Sequence, residues 1–163
     1  MIRDADKMVS QMTLHEKVML CTGDGLWRTK AFEAYGIPSI LMSDGSSGVR
    51  FQKDSDTNGE VPFYESISGQ FDSAEALAMT HEATCFPSAS AVSCSWNPDL
   101  VNEIGRALAD ECRRLGVHLL LGPGMNIRRH PLTARNFEYY SEDPYLTGEL
   151  AAAMVTGVQA NGV

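Results

Sequence analysis

Charged side chains follow two short apolar runs of this sequence, at positions where the loops after strands of a β/α barrel build an active site. Asp44 and Arg50 come after the run at residues 39–42. Arg135 lies in the loop that follows the run at residues 117–121. A carboxylate held by guanidinium groups stays ionised and rigid, as the acceptor of a polar binding site has to be. The alternative interpretation is structural: Asp44 caps a turn, and the two arginines form ion pairs within the fold.

Two further side chains in the predicted loops are secondary candidates for ligand contact. Arg129 is the first, although consecutive cationic residues such as Arg128, Arg129 and His130 more often pair with acidic neighbours like Glu138. Trp96 is the second, because an indole ring stacks on the apolar face of another ring. A tryptophan at a strand end is equally often a filler at the edge of a core. The four scattered histidines indicate no Ser-His-Asp arrangement for nucleophilic catalysis.

The polar segment at residues 52–84 contains a different type of binding pattern. Four oxygen-bearing residues have the spacing of a twelve-residue calcium loop: Asp54, Asp56, Asn58 and Glu65. The context argues against calcium, because residues 48–53 make a poor entering helix and Pro62 stiffens the second half of the loop. We therefore expect a solvated acidic loop and assign no metal or cofactor, while calcium binding stays as the competing hypothesis.

Capping signals predict three helices around these loops, at residues 13–23, 97–116 and 143–162. Thr13 and Glu16 have the spacing of a capping box at the start of the first helix. The other two begin with an Asn-Pro or Asp-Pro pair and stop at glycine or Asn-Gly, as helices commonly do. These helices must alternate with the strands that deliver the polar loops.

Three apolar runs predict buried strands at residues 39–42, 86–94 and 117–121. His118 lies inside the last run and is expected to be a core histidine. The alternation of strands and helices predicts an α/β fold with parallel β/α units and right-handed crossovers. We expect about three units of a TIM-like barrel, a partial (β/α) barrel, because the closed fold takes about 250 residues.

The composition excludes several classes of protein. The chain has 163 residues, 44% of them hydrophobic and 21% charged, as in an ordinary globular domain. Thirteen basic and 21 acidic residues give a net charge of −8, which argues against nucleic acid as a partner. No apolar run approaches the roughly 18 residues that a membrane helix requires. The four cysteines have no Cys-x-x-Cys spacing, and two of them, Cys94 and Cys112, lie in apolar segments. The start of the sequence has no leader pattern. Together these features predict a cytoplasmic protein with reduced thiols.

Several segments together resemble the N-terminal part of glycoside hydrolase family three, the β-glucosidase family. They are residues 12–18, 43–50, 85–87, 122–127 and 135–144. The last of these, Arg-Asn-Phe-Glu-Tyr-Tyr-Ser-Glu-Asp-Pro, is the most specific. The resemblance covers the chain from about Thr13 to the end, except for the insertion at residues 52–84. It departs from the family pattern at Ser46-Ser47, where proline followed by His or Asn is more usual, and at Thr133-Ala134, where glycines are usual.

The resemblance implies roles for particular residues. Asp44 matches the family aspartate that accepts hydrogen bonds from sugar hydroxyls in the subsite for the non-reducing-end glycosyl unit. Arg50 and Arg135 match two arginines that line the same subsite. The implied partner is a β-glucoside or a related oligosaccharide, and the implied activity is hydrolysis with retention of configuration. The alternative is a noncatalytic sugar- or calcium-binding module.

The resemblance assigns no catalytic residue to this chain. Retaining hydrolysis requires two carboxyl groups about 5 to 5.5 Å apart. The family nucleophile is an Asp in a Ser-Asp-Trp-like motif, whereas Ser43-Asp44 and Ser55-Asp56 are followed here by Gly and Thr. We therefore expect residues 1–163 to be an N-terminal fragment that requires a C-terminal part for activity. Three strands with two open edges also predict self-association of the isolated fragment.

Overall fold

The computed structural model describes residues 5–25, 27–50 and 81–163, which form two compact units. The first unit contains the described residues up to Leu41. The second contains residues 42–50 together with residues 81–163. The candidate calcium loop, Asp54 to Glu65, lies outside the described residues and stays a hypothesis.

The first unit begins with two short helices, α1 at Ala5–Gln11 and α2 at Leu14–Leu20. The predicted capping box is confirmed, because the Glu16 backbone N–H donates to Thr13 Oγ1 at 3.2 Å. The Thr13 N–H donates in turn to Glu16 Oε2 at 2.8 Å. These bonds, with one from the Tyr35 hydroxyl, lower the pKa of Glu16. The helix ends at Leu20, slightly before the predicted end.

Two parallel strands pair in the second unit, β1 at Met42–Asp44 and β2 at Leu119–Leu121. The register places Met42 opposite Leu119 and Asp44 opposite Leu121. The first strand thus begins three residues and ends two residues later than predicted, and Asp44 is its last residue instead of a loop residue. The predicted third strand is confirmed over its second half. The described part of the chain is therefore a mixed α/β structure with one parallel strand pair.

The strand predicted at residues 86–94 is wrong. Residues 89–93 form a short helix, α3, at Ala89–Ser93. Its buried residues are Ala89, Val92 and Ser93, whose spacing of three and four is that of one helical face. The short apolar run imitated a buried strand, but alanine also favours helix, and packing decided the outcome. Cys94, predicted to be in the core, is exposed after this helix.

The two long helices are confirmed with their predicted caps, α4 at Pro98–Arg114 and α5 at Pro144–Ala160. The Asn97 side chain accepts hydrogen bonds from the N–H groups of the first turn of α4. Asp143 does the same for α5. Each cap satisfies donors that the helix itself leaves unpaired, so a local pattern is enough to fix where each helix begins.

Helices α4 and α5 pack against each other and form the main core with α3. The buried side chains of this cluster include Val101, Ala109, Tyr140, Leu150, Met154 and Val158. Gly105 lies at the contact, where a β carbon would be 2.6 Å from the carbonyl oxygen of Met154. The helices therefore approach each other along their backbones.

Two predictions about single core residues had different outcomes. Cys112 is fully buried as predicted, and burial raises the pKa of its thiol to about 11. His118 is exposed, so the prediction of a core histidine is wrong. Val117 beside it is buried, and consecutive residues of an extended chain point in opposite directions. Among the helices described, none is long and apolar enough to cross a membrane.

Candidate functional site

Asp44 and Arg50 lie at the two ends of a closed loop directly after β1. The Arg50 N–H donates to the Asp44 carbonyl oxygen at 2.9 Å, so the backbone returns beside the strand end. The same N–H lies 3.2 Å from the hydroxyl of Ser43, which is fully buried and donates to the Asp44 carbonyl at 2.8 Å. Both charged side chains remain exposed. The backbone thus holds them near each other while leaving their functional groups accessible.

The chain inside this loop needs glycine at one position. Gly48 has a φ of +142°, a conformation that other residues rarely adopt. A β carbon there would also overlap the carbonyl group of Thr84. The Phe86 N–H donates to Ser47 O at 2.9 Å, which joins the loop to the segment before α3. The loop conformation is therefore fixed by its neighbours as well as by its own bonds.

Arg135 and Glu138 form an ion pair in the second loop, after β2. Arg135 precedes a 3₁₀ turn at Asn136–Glu138, and its Nε donates to Glu138 Oε1. The Glu138 side chain is only 9% exposed, whereas that of Arg135 is 70% exposed. This hydrogen bond is the main cause that raises the pKa of the Arg135 guanidinium, and the charge of Asp44 contributes to it. The main partner of Arg135 is therefore Glu138 of its own loop.

The backbone of the second loop is held by Arg128. Its Nε donates to the Tyr139 carbonyl oxygen at 3.0 Å, and its Nη2 donates to Ser90 Oγ at 2.6 Å. Ser90 Oγ in turn lies 2.9 Å from the Phe137 carbonyl oxygen, to which it donates. The expectation that Arg128 pairs with an acidic residue is wrong. Glu138 is occupied by Arg135, and the Arg128 donors reach carbonyl and hydroxyl oxygens instead.

The two secondary candidates, Arg129 and Trp96, are exposed. Trp96 is 74% exposed and follows α3, where a strand end was predicted, so it does not fill the edge of the core. No hydrogen bond between described residues joins either side chain to Asp44 or Arg135. The structure thus brings Asp44 and Arg50 together, and the hydrogen bond from Ser46 to Glu138 joins their loop to the loop of Arg135.

The most important residue that the sequence reasoning did not include is Glu138. It was considered only as a partner for the cationic run at Arg128, yet it is buried beside Arg135. A usable signal was present, since residues three apart on a helical turn are neighbours. Ser46 was also missed; its hydroxyl donates to Glu138 Oε2 across 3.4 Å.

The arrangement suits hydrogen bonding to a polar ligand on an open surface. Within the described ranges, no group of three His, Cys, Asp or Glu residues is placed to hold a metal ion. A cavity of about 10 Å³ beneath the first loop, bordered by Ser46, Phe86 and Tyr140, has room for no more than one water molecule. This cavity is therefore too small for a ligand of sugar size.

Comparison with known families gives a match over most of the chain. The model described as "Glycosyl hydrolase family 3 N terminal domain" matches residues 67–163. The matched region begins inside residues 52–84, the segment that was predicted to be an insertion. The chain is 48% identical over 164 residues to thermostable beta-glucosidase B of Acetivibrio thermocellus, with 98% of this chain and 19% of that protein covered. It is 43% identical to an exo-alpha-(1->6)-L-arabinopyranosidase of Bifidobacterium longum, with 95% and 18% covered.

Solved structures show the same relationship. Beta-glucosidase 3B of Thermotoga neapolitana, in complex with alpha-D-glucose, is similar with a TM-score of 0.75 and 35% identity, over 97% of this chain and 22% of that one. The GH3 beta-glucosidase of Bifidobacterium adolescentis is similar with a TM-score of 0.71 and 41% identity, over 93% of this chain and 18% of that one. The chain thus spans about a fifth of the length of these relatives. Since the family model covers more than half of its residues, this chain belongs to glycosyl hydrolase family 3, in the N-terminal domain.

Proposed function

We propose that this chain supplies one wall of the subsite that holds the non-reducing-end glycosyl unit in a retaining β-glucosidase-like hydrolase. One observation carries the proposal: β1, which ends at Asp44, pairs in parallel with β2, and Ser46 of the first loop donates to Glu138, the ion-pair partner of Arg135 in the second loop. Exposed carboxylate and guanidinium groups offer the acceptors and donors that a row of sugar hydroxyls requires. Arg50, fixed by its backbone beside Asp44, completes the wall.

The proposed architecture is part of a (β/α) barrel, with Asp44 at the carboxyl end of its first strand. In such barrels the loops after the strands build the active site, and both proposed loops follow strand ends in the structure. The nucleophile and the acid/base are assigned to segments outside residues 1–163. The proposed location is cytoplasmic, as the cysteine spacing predicts.

A second candidate substrate class is an α-L-arabinopyranoside. A Bifidobacterium relative described as an exo-alpha-(1->6)-L-arabinopyranosidase is 43% identical over nearly the whole chain, close to the 48% of the β-glucosidase. The protein that carries this chain should be assayed with aryl β-glucosides and aryl α-L-arabinopyranosides side by side. The larger kcat/KM then identifies the sugar that the subsite accepts.

The central experiment is Asp44→Ala in the full-length protein. The substitution removes charge-assisted hydrogen bonds worth about 1.5 to 3 kcal/mol each. We expect kcat/KM to fall by two or more orders of magnitude, about 3 kcal/mol of transition-state stabilisation. Asp99→Ala is the matched control, because Asp99 is an exposed aspartate in the first turn of α4. Nearly normal kinetics beside a lowered melting temperature for Asp44→Ala would remove this residue from the subsite.

The noncatalytic alternative has its own test. Titration with calcium, followed by calorimetry, should give no heat of specific binding if residues 54–65 are a solvated acidic loop. A stoichiometric binding isotherm, together with loss of binding in Asp54→Asn, would favour the calcium-binding module instead.

A further inference from the structure

We propose that Glu138 is a positioning residue, which holds the Arg135 guanidinium in the orientation that a sugar requires. The inference rests on the proposed function. Arg135 alone cannot supply a fixed orientation, because its side chain is long, 70% exposed and rich in rotamers. The bond from Nε to Glu138 removes most of that freedom. It uses only one edge of the guanidinium, so the bond itself leaves the two terminal amino groups available to a ligand.

Glu138 is able to act as a support because it is itself fixed. Its side chain is buried, and its backbone lies so close to Gly124 that a β carbon there would overlap the Glu138 carbonyl oxygen. The neighbouring carbonyl groups of Phe137 and Tyr139 accept hydrogen bonds from Ser90 and Arg128. The turn that carries Glu138 is therefore anchored by side chains from outside it.

Glu138 also connects the two loops of the proposed subsite. One carboxylate oxygen accepts from Arg135, and the other accepts from the hydroxyl of Ser46. Ser46 belongs to the loop that begins directly after Asp44. A single buried carboxylate thus links the loop that follows Asp44 to the guanidinium of Arg135. A buried carboxylate is costly unless it is paired, so Arg135 stabilises Glu138 as Glu138 orients Arg135.

The test is a double-mutant cycle on Arg135→Lys and Glu138→Gln in the full-length protein, measured as kcat/KM for the preferred aryl glycoside. Glutamine keeps the shape of the side chain and removes its charge. We expect Glu138→Gln to lower kcat/KM tenfold or more, and Glu138→Asp, which keeps the charge, to recover part of the loss. If Glu138 acts through Arg135, then Glu138→Gln should change kcat/KM less than threefold once Arg135 is lysine.

The outcomes separate this inference from the proposed function. Wild-type kcat/KM in Arg135→Lys would refute the role of Arg135 in the subsite, and the inference with it. A reduced kcat/KM in Arg135→Lys, with a further full loss from Glu138→Gln, would overturn the positioning role alone. If Glu138→Gln does not fold, Ser46→Ala decides the case. Ser46→Ala should lower kcat/KM at least threefold in the wild-type protein and leave kcat/KM unchanged in the Arg135→Lys variant. Equal losses of kcat/KM in the two proteins would contradict the inference.

Discussion

The contact between α4 and α5 makes a sharp prediction for Gly105→Ala. The added methyl group would be 2.6 Å from the Met154 carbonyl oxygen and 3.2 Å from the Gly157 α carbon. Both are backbone atoms, so a side-chain rotation cannot relieve the overlap and α5 must move. Overpacking costs about 1 to 3 kcal/mol, and a backbone overlap belongs at the upper end. Alanine has a higher helix propensity than glycine, which stabilises the folded state by about 1 kcal/mol. The expected net loss is therefore about 2 kcal/mol.

Gly148→Ala is the matched control in the same pair of helices. Gly148 lies in α5, is exposed, and a β carbon there would have no neighbour within 4 Å. This substitution should stabilise by about 0.5 to 1 kcal/mol through propensity alone. Urea unfolding followed by circular dichroism measures both variants, and the midpoint for Gly105→Ala should fall while that for Gly148→Ala rises. Midpoint shifts in the same direction would refute the close backbone contact.

Three further predictions concern the thiol in the core and the isolated chain. Burial raises the pKa of Cys112 from 9.0 to about 11, so the folded state retains a proton that the unfolded state releases. The protonated Cys112 thiol therefore contributes to the free energy of unfolding in full below pH 9, and this contribution is lost by about pH 11. Between these pH values, the free energy of unfolding measured with denaturant should depend less on pH in Cys112→Ala than in the wild type. The isolated chain should not hydrolyse aryl β-glucosides above background, and turnover abolished by mutating one of its residues would contradict this. It should also elute as oligomers, whereas a monomer with a sharp melting transition would count against open strand edges.

Local signals were the most successful part of the sequence analysis. The helix starts at Thr13, Asn97 and Asp143 were predicted correctly, because a capping side chain and its donors lie within four residues of each other. The errors fell where longer-range packing decides. The segment at residues 86–94 fits a buried strand as a short apolar run, yet α3 forms there because one helical face is buried in the core.

The candidate site was predicted in part for the same reason. The order of elements predicts polar residues at strand ends, and in the structure Asp44 is the last residue of β1 while Arg135 lies in the loop after β2. The burial of Glu138 and its contact with Ser46 depend on two loops 92 residues apart meeting, which no local pattern records. The binding roles of Asp44, Arg50 and Arg135 stay predictions, as does the cytoplasmic location.

The parallel pairing of β1 with β2 has a consequence for synthesis of the protein. β1 ends at Asp44, and its partner strand begins only at Leu119. At about 5 to 20 residues per second, a ribosome takes about 4 to 15 s to make the residues between them. For that interval the nascent β1 lacks the partner strand that the folded protein provides. The strand is only three residues long and ends on a charged side chain, two properties that discourage pairing with other chains while it waits.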